Sequence, residues 1–166
     1  MKIRGGRAEH LFPQILERVG FQIVDSPLVP ASGNAVARAS SFQDHSLKVD
    51  FWIYYDVRDG YLWIPVQLTA FGKKPGSKPT YKHGGRLDKK RRDCKKRGVL
   101  LIAINYPSCI QAGIGEHDAV EVISLTVKHA IEQDFKMLKN PLTPAQAFEI
   151  EENERKGGNF TAHIKS

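Results

Sequence analysis

The first hydrophobic positions of the chain repeat with the period of an α-helix. Between residues 8 and 19, apolar side chains fall at positions i, i+3, i+4, i+7, i+8 and i+11 and form one stripe. This stripe predicts an amphipathic helix that ends at Gly20. Because Pro13 lacks an amide donor and disfavours a helical residue before it, we expect this helix either to start near Glu9 or to bend.

The next stretches change from helical to strand patterning. Residues 21 to 24 predict a short strand, and residues 25 to 46 predict a loop-rich segment that proline and glycine interrupt. Two runs rich in aromatic and β-branched residues, 47 to 55 and 61 to 71, predict a hairpin that turns at Asp59-Gly60. Alternate residues share a face in each run, so we expect one face of the hairpin to be apolar core and the other to be mixed polar and aromatic.

The rest of the chain predicts three helices and one buried strand. The helices are expected over residues 86 to 97, 117 to 135 and 144 to 156, the last with Thr143 as its N-cap. Residues 99 to 106, VLLIAINY, predict a strand buried on both faces. The predicted fold class is therefore α/β, with an α-β-β-β-α-β core, a mixed sheet flanked by helices, and C-terminal helices.

We expect residues 1 to 140 to form a single domain of this type. Residues 141 to 166 are expected to form a C-terminal helix and tail that either pack on that domain or extend from it.

Charge is concentrated in one segment. Residues 73 to 97 hold 12 lysines and arginines against two acidic residues, whereas the whole 166-residue chain carries +7. All of the excess positive charge therefore lies in this segment, as expected of a surface that meets phosphates. The alternative is a solvated helix face. The candidate nucleic-acid contacts are Lys73, Lys74, Lys82, Arg86, Lys89, Lys90, Arg91, Arg92, Lys95 and Lys96.

Composition limits the class of protein. With 41% hydrophobic residues, the chain is long enough to bury a core without crosslinks. Cys94 and Cys109 form no CxxC pair or zinc-type cluster, which is typical of a reduced intracellular protein. No apolar stretch approaches the roughly 18 residues of a membrane span. We therefore expect a soluble, cytoplasmic protein without membrane association.

Three sequence segments carry a resemblance to a known superfamily. The segments are GGRAEHLFPQILERVGFQIV, then KVDFWIYY, and then IPVQLTA. In this order they resemble the opening helix and first strand, the aspartate-bearing strand and the motif strand of the PD-(D/E)XK nucleases, which have the restriction-endonuclease-like fold. The resemblance covers residues 6 to 106, and Gln67 makes it similar to the Mrr-type QXK pattern.

The resemblance implies a catalytic site on the hairpin. Asp50 corresponds to the metal-binding aspartate, Gln67 to the acidic-or-Gln position, and Thr69 to the lysine, which is missing. Such nucleases use Mg²⁺ or Mn²⁺, and Glu9 is the candidate third ligand beside Asp50 and Gln67. We expect Lys48, two residues before Asp50, to replace the absent lysine.

Each of these residues also has an ordinary structural explanation. Asp50 could cap a turn, Gln67 could be a half-buried amide, Thr69 a common strand residue, and Lys48 a solvated edge charge. Three functions consequently stay open. The first is a Mg²⁺-dependent endonuclease, the second a degenerate relative that only binds DNA, and the third a basic adaptor for RNA or an acidic protein. The expected partner is duplex DNA, and a homodimer is one allowed assembly.

Overall fold

The structure is a computed structural model that describes residues 5–58, 60–70, 86–104 and 116–157. Within these ranges it describes the side chains of residues 12–58, 60–69, 87–104 and 120–157. The fold is α/β, with a five-stranded mixed sheet flanked by helices.

The first helix, α1, spans Gly5–Arg18 and contains Pro13 in its interior. Phe12 and Leu16 on its predicted stripe are completely buried. The helix ends where Gly20 adopts a left-handed backbone with φ +101°. Since α1 begins at Gly5, the first of the two predicted alternatives, a start near Glu9, is wrong, and the second, a bend at Pro13, stays a prediction.

The sheet has the strand order β1-β2-β3-β4-β5. Strands β1 and β2 are parallel, β2, β3 and β4 are antiparallel in succession, and β5 is parallel to β4. The strand bounds are Gln22–Val24 for β1, Ala35–Arg38 for β2, Phe51–Asp56 for β3, Tyr61–Ala70 for β4 and Leu100–Ile104 for β5. The predicted hairpin and the predicted apolar strand after residue 98 are thus confirmed.

Strand β2 lies within the segment that was predicted to be loop-rich, so that prediction is wrong for Ala35–Arg38. The sequence AVAR lacks apolar-polar alternation, and alanine has little intrinsic preference for strands. Pairing with strands on both sides and burial of Ala35, Val36 and Ala37 stabilise it instead. The observed order is therefore α-β-β-β-β-α-β, with one strand more than predicted.

The chain enters β3 differently from the prediction. Residues 47 to 50 were expected to be strand, but Gln43–Leu47 forms a π-helical turn. Lys48 follows in the left-handed conformation, with φ 59° and ψ 39°, and β3 begins at Phe51. The residue types that favour turns, serine, asparagine and aspartate, give no strong signal for a turn in this segment. The sequence LKVDF instead has the alternation of a strand, which explains the error.

Helices cover both faces of the sheet. α1 and α3, Glu116–His129, pack on one face over the larger apolar cluster, which includes Phe51, Ile64 and Ile123. α3 continues into a π-helical turn, Ala130–Asp134, and a short 3-10 turn, Phe135–Met137.

The opposite face of the sheet carries α2, Arg86–Arg97, and α4, Pro144–Lys156. Cys94 of α2 and Ala147 of α4 are buried in one cluster with Trp52. The predicted capping box is confirmed, because the Thr143 side chain accepts from the Gln146 amide and the Gln146 side chain accepts from the Thr143 amide. The division of the chain at residue 140 stays a prediction.

None of the helices in the described ranges is both long and apolar enough to cross a membrane.

Candidate nucleic-acid interface

The polar end of β4 lies against α2. Gln67 and Thr69 are two residues apart on one strand, so their side chains leave the same face of the sheet. Both side chains are half-buried, and both contact residues of α2. We call this region the β4–α2 cleft and define it by Gln67, Thr69, Lys90, Cys94 and Arg97.

Lys90 contacts Thr69, the residue at which the nuclease resemblance requires a lysine. Its Nζ atom lies 3.2 Å from Oγ1 of Thr69. The side chain comes from the helix rather than from β4 or from the segment before β3. A cation is therefore present beside the motif position although the motif residue itself is threonine.

Gln67 accepts two contacts from α2. Its Oε1 atom lies 2.9 Å from Sγ of Cys94 and 3.4 Å from Nη2 of Arg97. The same Nη2 atom lies 3.8 Å from the Cys94 sulfur. Since a side-chain carbonyl oxygen has two lone pairs, these two donors satisfy its usual capacity.

Cys94 acts as the donor in its contact with Gln67. Burial raises the pKa of this thiol above its usual value, while Arg97 and then Lys90 lower it and Asp93 raises it further. Because burial is the largest of these effects, the sulfur keeps its proton at neutral pH and can donate it to the amide oxygen.

Asp50 lies beside Gln67 across the hairpin. Its backbone amide donates to the carbonyl of Val66 over 2.8 Å, and its Oδ2 atom accepts from the amide of Leu68 over 2.7 Å. The two contacts flank Gln67 in sequence. A carboxylate that accepts a backbone N–H where strand pairing begins has a structural role.

The structure does not place Lys48 on the strand face that carries Gln67 and Thr69. Lys48 is exposed and belongs to the turn before β3, so the prediction that it lies on the same strand as Asp50 is wrong. Its proposed role as the replacement lysine stays a prediction, as does metal binding by Glu9. Glu9 lies in α1, and its side chain is outside the described residues.

In this arrangement the Gln67 oxygen is not available to a magnesium ion. Mg²⁺ prefers carboxylate and water oxygens. Here the Gln67 oxygen is already bonded to two donors, and one of them is a guanidinium whose charge repels a divalent cation. Within the described part of the chain, no group of three or more His, Cys, Asp or Glu residues could hold a metal ion.

The outward face of α2 is strongly cationic. Four of its basic side chains are exposed, and no ion pair with another described residue is found for them: Lys89, Arg92, Lys95 and Lys96. Arg91 lies 3.5 Å from a carboxylate oxygen of Asp134. Lys73, Lys74 and Lys82 fall outside the described residues, as does the side chain of Arg86.

The aromatic residues of the hairpin pack against one another. The ring of Tyr54 lies 5.1 Å from Tyr61 and 4.8 Å from Trp63, and Trp52 is completely buried. The indole N–H of Trp63 donates to the carbonyl of Val29 over 3.0 Å. These contacts correspond to cross-strand packing.

Two cleft residues were not singled out as site residues from the sequence, namely Cys94 and Arg97. Together with Lys90 they fall at i, i+4 and i+7 of α2, which is the spacing of one helix face. That spacing was the available signal. In a run so rich in lysine and arginine, however, it could not reveal which face meets the sheet.

Comparison of the chain with protein-family models, with curated proteins and with solved structures finds no match.

Proposed function

We propose that this protein binds nucleic acid, with duplex DNA as its partner, through the basic surface of α2. The observation that carries this proposal is the outward face of the helix, where exposed lysines and arginines lack ion-pair partners among the described residues. Like charges at this density repel one another, and a phosphate backbone relieves the repulsion while counterions are released.

The proposed architecture is that of a restriction-endonuclease-like protein with an additional edge strand. Without β1, which the sequence resemblance had taken as the first strand, the elements α1, β2, β3, β4, α2 and β5 follow the α-β-β-β-α-β order. Asp50 and Gln67 lie at the junction of β3 and β4. This order supports the proposal together with the sequence resemblance.

A binding module agrees better with the cleft than a metal-dependent nuclease does. In a nuclease of this type, Asp50 and the residue at position 67 would hold Mg²⁺, which supplies a polarised phosphate and an activated water. In this chain Arg97 and Cys94 donate hydrogen bonds to the Gln67 oxygen instead. We therefore place binding, not cleavage, first.

The test uses charge reversal on the outward face alone. The variant Lys89→Glu/Arg92→Glu/Lys96→Glu changes three exposed side chains that have i, i+3 and i+7 spacing and make no contact with β4. It should weaken duplex binding regardless of sequence, and the slope of log affinity against log salt should fall by about three.

A matched control carries the same change of charge elsewhere. Arg58→Glu/Lys128→Glu/Lys156→Glu alters three exposed cations on the turn between β3 and β4, on α3 and at the end of α4. Fluorescence anisotropy with a labelled duplex, over a series of salt concentrations, should show a much smaller loss for this control. Equal losses of affinity in both variants would mean that binding depends on net charge only. An α2 variant with unchanged affinity would contradict the proposal.

A further inference from the structure

We infer that the β4–α2 cleft binds a phosphate group of the nucleic acid directly between Lys90 and Arg97, without a divalent cation. This inference rests on the proposed function but concerns the inward face of α2, which the outward variant leaves unchanged. The cleft would then hold an anion where the related nucleases hold a metal.

The two cations are held in place by the strand. Lys90 is anchored at Thr69 and Arg97 at Gln67, and these two strand positions are about 6.6 Å apart at the usual rise of about 3.3 Å per residue. The phosphate would accept from each of the two donors at about 2.8 Å.

Both cations retain donors for a ligand. A lysine ammonium has three N–H donors and the Thr69 contact uses one, whereas a guanidinium has five. Among the described residues, neither Lys90 nor Arg97 has a carboxylate partner within 4.0 Å. Their charges are consequently not neutralised by this part of the protein.

The base of the cleft is uncharged. Cys94 is 1% exposed and lies between Lys90 and Arg97 along the helix, with its thiol protonated. Thr69 and Gln67 supply a hydroxyl and an amide. Lys90 and Arg97 together carry more charge than the Asp50 carboxylate beside Gln67 offsets, so the local charge favours an anion over a further cation such as Mg²⁺.

The Asp50 carboxylate lies beside Gln67 and accepts a hydrogen bond from the backbone of β4. Its Oδ2 atom accepts the Leu68 amide over 2.7 Å, and the adjacent backbone is paired with Val66. Hydrogen bonding of this kind orients the carboxylate along the strand pair. Asp50 therefore contributes to the geometry of β4 and not to phosphate binding.

The test measures duplex affinity in the presence of EDTA. The wild-type protein should bind equally well, to within about twofold, in EDTA and in Mg²⁺ at matched ionic strength. The variant Lys90→Gln/Arg97→Gln should bind the duplex with about a hundredfold lower affinity, which is about tenfold for each charged hydrogen bond to phosphate. The variant Lys90→Arg keeps the charge and should retain more affinity than Lys90→Gln, and circular dichroism spectra of all three variants control for folding.

A second control separates this inference from the proposed function. Arg58→Gln/Lys128→Gln removes two exposed charges, on the turn between β3 and β4 and on α3, and should leave the affinity nearly unchanged. If the outward variant Lys89→Glu/Arg92→Glu/Lys96→Glu loses binding while Lys90→Gln/Arg97→Gln does not, the cleft inference is wrong and the proposed function stands. If neither variant loses binding, both are wrong. Binding that requires Mg²⁺ would also overturn the inference.

Discussion

The two faces of the central sheet differ in what they bury. The face under α1 and α3 is covered by one continuous apolar cluster that extends from Phe12 to Ile131. The face under α2 and α4 has a smaller cluster around Trp52, and polar side chains such as Gln43 and Gln67 lie at its margin. The first face stabilises the fold, and the second leaves room for groups that can bind a ligand.

The polar margin of the second face is itself organised by α4. Gln43 accepts from the Trp52 indole over 3.0 Å, and it is completely enclosed although its Nε2 atom has no partner among the described residues. Ser40 hydrogen-bonds to Glu151 of α4. These contacts fix the turn that leads into Asp50, so the C-terminal helix supports the strand junction beside the cleft.

Truncation on the first face should have the largest effect on stability. Phe51 is completely buried with its ring 5.0 Å from that of Phe12, so Phe51→Ala should lower the free energy of unfolding by about 3 to 5 kcal/mol. Gln67→Ala on the second face should cost about 1 kcal/mol, because the exposed Arg97 can turn to water and the buried Cys94 thiol is only a weak donor. Urea denaturation would compare the free energies of unfolding of the two variants. A larger loss of stability for Gln67→Ala than for Phe51→Ala would contradict the contrast between the two faces.

A smaller effect should appear at alkaline pH on the second face. Because burial raises the pKa of Cys94, the folded state keeps a proton that the unfolded state loses. This contribution to stability is complete below the ordinary thiol pKa of about 8.5 and is lost as pH rises through the higher folded value. Cys94→Ala should therefore lose less stability between neutral and alkaline pH than wild type does. Thermal unfolding over a series of pH values would measure this difference. If the stability of wild type and of Cys94→Ala falls in parallel, the thiol is not responsible for the loss at alkaline pH.

The sequence predicted elements well where periodicity was strong and contacts were local. Helix α2, the hairpin and the Thr143 cap followed from spacing, from the turn at Gly60 and from a capping box. Strand β2 could not be predicted, because its four residues are strand only through pairing with neighbours distant in sequence. The left-handed turn at Lys48 was hidden for a similar reason, since strand-like alternation continues through it.

The candidate site was predictable only in part. Gln67 and Thr69 were expected on one face because strand geometry is local, and they lie there. The donors that contact them come from a helix 21 to 30 residues later in the chain, and the choice of Lys90 and Arg97 depends on how α2 rotates against the sheet. Burial of Leu87 and Cys94 sets that rotation, because these two apolar side chains lie seven residues apart on one face of a helix that is otherwise charged.

The most direct test of the account is a titration of the nucleic-acid-free protein with Mn²⁺, followed by the electron paramagnetic resonance signal of the free ion. If the cleft is an anion site lined by Lys90 and Arg97, the wild-type protein should show no stoichiometric Mn²⁺ site with a dissociation constant below about 1 mM. Arg97→Gln, which removes the guanidinium from the Gln67 oxygen, should bind the ion more tightly than wild type. A wild-type site of one Mn²⁺ per chain that Asp50→Asn abolishes would contradict the account and would favour the metal-dependent nuclease.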